Sequence, residues 1–209
     1  MAKPFERVRE IISAESDDFF NDGTITYYVN KSIENIVSIL VQRERQSSVS
    51  LRALDLLREK ATFSNISAVQ IDDYFTGSDT LPSNFKTQLS AKYGNKTNLR
   101  ELPDNKEYHL NFGNAIPTEV EGYYNIEGGS ISFYLHESPE KDITFKYIKT
   151  PTPLTESSED ITQLPSQLEN AVLYSAASMA VGQESVKDPE GNVNFIAQMA
   201  QQELENSIY

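Results

Sequence analysis

Gly122-Tyr123-Tyr124-Asn125-Ile126-Glu127-Gly128-Gly129-Ser130-Ile131-Ser132-Phe133-Tyr134-Leu135 decides how the chain is read. It reads as strand, turn, strand. Ile131, Phe133 and Leu135 alternate onto one face, the period of a half-buried strand. Glu127-Gly128-Gly129 supplies the residues that a tight hairpin requires. The hairpin lies within a longer region, about 61–150, of short apolar runs separated by turns. Phe63, Ile66 and Val69 lie in the first run and Ile71 to Phe75 make another. In the last, Ile143, Phe145 and Tyr147 share a face.

Outside this region the apolar period becomes helical. Pro4 suits a first helical position, and Phe5, Val8, Ile11 and Ile12 predict a helix over 4–15. The strongest pattern covers 24–45, with Ile25, Val29, Ile33, Ile36, Val37 and Leu40 in one stripe. Asn21, Asp22 and Thr24 are all suited to cap it. Leu51, Leu54 and Leu57 predict a third helix over 49–60. Residues 150–160 read as a linker. Leu168, Val172, Leu173, Ala176 and Met179 predict a helix over 165–182, and a last helix runs to about 208. The expected fold class is therefore α+β: a helical bundle from both chain ends with a β-rich insertion in the middle. Residues 1–60 supply the N-terminal helices, 61–150 the β-rich module, and 151–209 the helices that complete the bundle. No internal repeat is visible at periods of ~20–50 residues.

The 209 residues are 38% hydrophobic, below the ~45–50% usual for globular chains. The net charge is −13. Residues 1–60 hold 9 Lys+Arg against 10 Asp+Glu, so a net of −12 falls after residue 60. Clustered cations, which tight binding to a nucleic-acid backbone needs, are missing from this pattern. Anionic membranes are disfavoured for the same reason. There are no cysteines, which removes disulfides, thiolate catalysis and Cys-based zinc sites. Met1 to Arg7 is not followed by an apolar signal core, and no apolar run approaches the ~20 residues of a membrane span. Sequons at Asn30, Asn65 and Asn95 carry no weight in a chain that stays in the cytoplasm.

No motif points to catalysis. Counting an EF-hand loop from Asp18 puts Phe20 at position 3 and Val29 at position 12, where oxygen ligands are required. His109 and His136 are the only histidines, and neither has a second one at ligand spacing. Gly128-Gly129 is too short for a phosphate loop. The acidic pairs Asp17-Asp18 and Asp72-Asp73 read as solvated charge. The expectation is no catalytic residue, no cofactor and no metal. Two groups are instead candidate interfaces. Tyr123, Tyr124, Tyr134 and Tyr147 cluster in the hairpin region, and tyrosine is favoured both in strands and at protein interfaces. Ile196, Met199, Ala200, Leu204 and Ile208 line one side of the last helix, as a core stripe or as an anchor for a neighbouring subunit or a portal.

Several stretches resemble the head-to-tail adaptor proteins of tailed phages, the connector-ring or tail-tube gatekeeper proteins of short-tailed phages. Leu81-Pro82-Ser83-Asn84-Phe85 is similar to the family's Leu-Pro-x-Asp-Phe segment, with Asn at the usual acid. Pro117, then Tyr124-x-Ile126-x-Gly128-Gly129-x-Ile131-x-Phe133, resembles its hairpin. Phe145-Lys146-Tyr147, then Pro151 and Leu154-Thr155, resembles its Tyr-x-Tyr…Pro-x-Leu-Thr pattern. Leu164-Pro165 opens an Ala-rich penultimate helix from Ala171 to Ala180. A proline usual after the hairpin is replaced by Leu135-His136. The resemblance spans about residues 24–205. It implies a structural virion protein, a homo-oligomeric ring, commonly a dodecamer. The ring would bind the portal on one side and a tail or nozzle protein on the other, with DNA passing through without specific binding. It implies assembly in the bacterial cytoplasm and no membrane partner. A small intracellular enzyme or ligand-binding domain with a carboxylate site, or another virion or scaffold subunit, stays open at this point.

Overall fold

A computed structural model describes residues 3–12, 20–47, 50–94, 97–102, 116–156, 159–184 and 191–208, without the side chains of 183–184, 191–194 and 208. Asp17, Asp18, Asn95 and His109 lie outside the described residues. The chain divides into two units, Met1–Leu57 with Pro151–Tyr209, and Arg58–Thr150.

The first unit is helical. It contains α1 (Pro4–Ile12), α2 (Asp22–Ser47), α3 (Glu169–Glu184) and α4 (Gly191–Ile208). Asn21 starts α2: its side-chain oxygen accepts the Thr24 backbone N–H at 2.9 Å, satisfying one of the helix's free donors. The other three helices all pack on α3. Alanines allow this. Ala171, Val172, Leu173, Ala176, Ala177 and Ala180 are all fully buried, so α3 is apolar around most of its circumference. Ser32 of α2 is also fully buried, and its hydroxyl donates to the Val172 carbonyl at 2.8 Å. Asn30 holds the incoming 151–156 segment like a strand partner. Its amide donates to the Leu154 carbonyl and accepts the Leu154 N–H, at 2.9 and 2.8 Å.

Among the described residues, the second unit forms one eight-stranded sheet. Its strands are β1 (Arg58–Phe63), β2 (Ala68–Ile71), β3 (Tyr74–Thr80), β4 (Phe85–Tyr93), β5 (Thr97–Glu101), β6 (Glu121–Glu127), β7 (Ser130–Leu135) and β8 (Ile143–Lys149). They lie in the order β1-β8-β4-β5-β6-β7-β3-β2. All neighbours are antiparallel except β5 and β6. Gly128 and Gly129 form the β6–β7 turn with φ of 58° and 83°. That left-handed pair matches the twist of a two-residue hairpin. One face buries a single core centred on Phe145, whose ring lies 5.9–6.2 Å from those of Phe63, Phe85, Tyr124 and Tyr147.

The expected helical bundle from both chain ends with a β-rich insertion is corrected by this architecture. The central element is the eight-stranded mixed sheet, curled into a half-barrel, with helices in the N- and C-terminal segments. The predicted third helix over 49–60 does not form. Arg52–Leu57 is a 3-10 helix, and Arg58–Phe63 is β1. Leu51, Leu54 and Leu57 recur every third residue, a spacing that a 3-10 turn satisfies as well as an α-helix does. Arg58–Phe63 is strand because β8 pairs with it along its whole length, a partner that no local pattern displays. Nor do the helices share a bundle's equivalent stripes, because α3 is the main packing surface for the others, with a smaller contact between α1 and α2.

Gly77 tests how tightly β3 is held. A Cβ there would stand 2.5 Å from Ile66 Cγ2 and 2.9 Å from the Ser67 carbonyl oxygen. Gly77→Ala is expected to destabilise by about 1–3 kcal/mol, as overpacking does, read as a lower urea midpoint at unchanged slope. Gly129→Ala, with open space but a positive φ, should cost about 1 kcal/mol.

Candidate functional site

Three of the stretches that carried the family resemblance, 81–85, the hairpin and 145–147, meet in the sheet. Leu81 donates its N–H to the Gly129 carbonyl at 3.0 Å, tying the 81–85 segment to the β6–β7 turn. Phe85 packs its ring 5.9 Å from those of Phe145 and Tyr147. Asn84 joins a polar network with β1 and β8. Its amide donates to Glu59 Oε2 at 3.0 Å, while its carbonyl oxygen accepts the Tyr147 hydroxyl at 3.0 Å. That hydroxyl also lies 2.9 Å from Glu59 Oε2, and Lys149 Nζ lies 2.9 Å from Glu59 Oε1. The hydrogen bonds from Lys149, Asn84 and Tyr147 hold the Glu59 carboxyl down to about 2, from an ordinary 4.5. Burial, then the Glu59 hydrogen bond, pushes the Tyr147 hydroxyl up.

This network suits asparagine at position 84. Glu59 already supplies the carboxylate. Asparagine can donate to it, whereas an aspartate would set a second negative charge beside it.

The four hairpin-region tyrosines fall on opposite faces. Tyr124 and Tyr147 point into the Phe145 core and are buried. Tyr123 and Tyr134 are directly cross-strand on the other face. They are half-buried there and pack with Tyr74 and Leu102. Val69 and Ile71 extend this aromatic face to the edge strand β2 by register, and both are exposed. Burial, ahead of the Glu121 carboxylate, pushes the Tyr123 hydroxyl up.

The stripe of the last helix is divided too. Ile196 and Leu204 are buried, while Met199 and Ala200 are half-buried. The Ile208 side chain lies outside those described. Phe195, which the sequence reading did not single out, is 62% exposed. A hollow of about 320 Å³ lies among Ile36, Ile39, Ala171, Ser175, Ala200 and Leu204.

Register also places a group that no linear pattern suggests. On the sheet face away from the core, Lys60 of β1 stands directly opposite Lys146 of β8, and Lys92 of β4 is opposite Thr144. All three lysines are exposed.

Among the described residues, no group of three or more His, Cys, Asp or Glu side chains could hold a metal ion. Asp72 and Asp73 form the exposed β2–β3 turn, and His136 is exposed after β7. No described helix is long and apolar enough to cross a membrane. The strongly held polar groups are thus structural ties between strands.

The family model described as SU10 adaptor protein matches residues 6–208. No curated protein matches the chain.

The network gives a defined pH dependence. A carboxyl held below its unfolded value stabilises the fold fully above about 4.5, and loses that contribution as the pH falls towards about 2. The melting temperature of Glu59→Gln should therefore lie below wild type at pH 6, with the gap closing as the pH is lowered to 2. Asn84→Asp should lower the melting temperature more at pH 7 than at pH 4, where one carboxyl of the pair takes up a proton.

Proposed function

The chain belongs to the SU10 adaptor protein family, and from that premise we propose that it is the subunit of a ring joining portal to tail. A phage structural adaptor is a virion component rather than an enzyme. The proposal adds that copies of the chain, twelve by the resemblance, form a closed ring. The ring contacts the portal on one side and a tail or nozzle protein on the other, and it assembles in the bacterial cytoplasm. The family match over nearly the whole chain is the observation that carries this reading.

Two surfaces support it. The aromatic face of Tyr74, Tyr123 and Tyr134 offers rigid amphipathic side chains of the kind that interfaces favour. On α4, Ile196 and Leu204 anchor the helix within its own unit, so Phe195 and Met199 are the side chains left for a neighbouring subunit or the portal. DNA passes without being held. A net charge of −13 opposes the counterion-releasing contacts that would retain a duplex.

Native mass spectrometry and electron microscopy of the purified chain, alone and with portal, test the reading. A ring of defined copy number bound to portal is expected. A chain that stays monomeric with portal present would refute the proposal. Leu204→Ala should destabilise the isolated subunit by about 2–5 kcal/mol, as a buried leucine truncation does. Phe195→Ala should leave stability within about 0.5 kcal/mol and weaken assembly. Tight, salt-dependent duplex binding by the isolated chain would contradict free passage of DNA.

A further inference from the structure

Acidic charge is segregated along this chain. Residues 151–209 hold one Lys+Arg, Lys187, against nine Asp+Glu, a net of −8 out of −13. The sheet shows the reverse on one patch. On the face of β1, β8 and β4 away from the Phe145 core, register places Lys60, Thr62, Thr144, Lys146, Ser90 and Lys92, and no acid, with the fully buried Ile148 and its neighbours Arg58 and Thr87 at one end. The acid of β1, Glu59, points to the other face, where it meets Tyr147.

Lys60, Lys92 and Lys146 have no hydrogen-bond or ion-pair partner among the described residues. Lys60 and Lys146 are a direct cross-strand pair, so their Cβ atoms lie about 5 Å apart, where like charges destabilise a sheet. Lys92 is diagonal to Lys146, one strand further on. Three unneutralised cations on neighbouring strands cost stability in the free subunit. They gain it back only against an anion.

We infer that the Lys60–Lys92–Lys146 face of the sheet docks the acidic C-terminal segment, residues 151–209, of a second copy of this chain. The inference rests on the ring reading and names the contact that forms it. Glu203 and Glu205 of α4 are the described carboxylates of that segment suited to the role. Glu205 is exposed, Glu203 half-buried, and neither has a cationic partner among the described residues. Symmetry sharpens the argument. A two-fold axis through either patch would set like charge against like charge, whereas a head-to-tail contact sets lysines against carboxylates, and contacts of that kind close into rings. A DNA duplex is the weaker occupant: three phosphate contacts give a salt slope of only about −3, against the repulsion of the remaining acidic surface.

Complementary charge reversal tests this in the full chain. Sedimentation velocity compares wild type, the triple variant Lys60→Glu/Lys92→Glu/Lys146→Glu, the double variant Glu203→Lys/Glu205→Lys, and an equimolar mixture of the two variants. Each variant alone should self-associate about tenfold or more weakly than wild type. The mixture should recover, because every contact in an alternating ring again joins opposite charges. Circular dichroism checks folding, and Lys→Gln at the same three positions replaces the triple reversal if that chain does not fold. A triple variant that assembles as wild type does, or a mixture that does not recover, overturns the docking and leaves the ring reading intact. A wild-type chain that stays monomeric to about 1 mM, and with portal, overturns both. Binding of a short DNA duplex that the lysine changes abolish, with self-association unchanged, assigns the patch to phosphate and overturns the docking.

Discussion

The antiparallel pairing of β1 with β8 is the constraint that the rest of the chain obeys. Arg58–Phe63 lies against Ile143–Lys149, so the chain enters and leaves the sheet on adjacent strands. The helical segments before residue 58 and after residue 150 can then form one unit although the whole sheet separates them in sequence. Bringing such distant strands together costs loop-closure entropy and slows folding. Two features offset that cost at the seam itself. Phe145 gathers rings from β1, β4, β6 and β8, and Glu59 ties β1 to β8 and to Asn84. The Thr150 N–H donates to the Asn84 carbonyl at 2.6 Å as the chain leaves. Position 84 is therefore a structural joint, where asparagine donates to the Glu59 carboxylate without adding a second charge.

A sheet with one packed core must present its other face to something else, and strand alternation decides what appears there. Along β6 and β7 the same period that buries Tyr124, Ile131 and Phe133 turns Tyr123 and Tyr134 outward. Along β1, β8 and β4 it turns Lys60, Lys146 and Lys92 outward. One face thus holds an aromatic half and a cationic half. The two free edges differ as well. β1 carries Arg58, Glu59 and Lys60, charges of the sort that keep edge strands from pairing indiscriminately. β2 carries none and exposes Val69 and Ile71.

Much of this was legible locally and the rest was not. The hairpin at 122–135 was readable because both its signals, alternation and a Gly-Gly turn, lie within a few residues. The stripe of α2 was readable for the same reason, and its cap resolved to Asn21 among three suitable residues. The stretch 49–60 misled because leucines three apart fit two kinds of helix, and because the partner that makes 58–63 a strand lies at the far end of the sheet. Grouping the four tyrosines by proximity ran against their alternation, since odd and even positions on paired strands face opposite ways. The lysine patch was invisible in sequence. Lys60, Lys92 and Lys146 come together only through a strand order that places β8 between β1 and β4. A total of −12 after residue 60 concealed it, because net charge sums over faces that never meet.

That distinction between total and local charge bears on how so acidic a chain could assemble as proposed. Two free copies at −13 each repel at long range, which opposes non-specific association. At physiological ionic strength screening acts over about 8 Å, so most of that repulsion fades once surfaces approach. At contact only facing groups count, within a few ångströms and partly shielded from water, where electrostatic interactions gain strength. In the proposed contact, net acidity would govern the encounter, and the placement of Lys60, Lys92 and Lys146 would govern the docked state. The same logic separates duplex DNA from a neighbouring subunit. DNA presents a long uniform line of charge, which the acidic body of the chain would meet repulsively along its length, whereas in the proposed ring a neighbouring copy would present Glu203 and Glu205 locally.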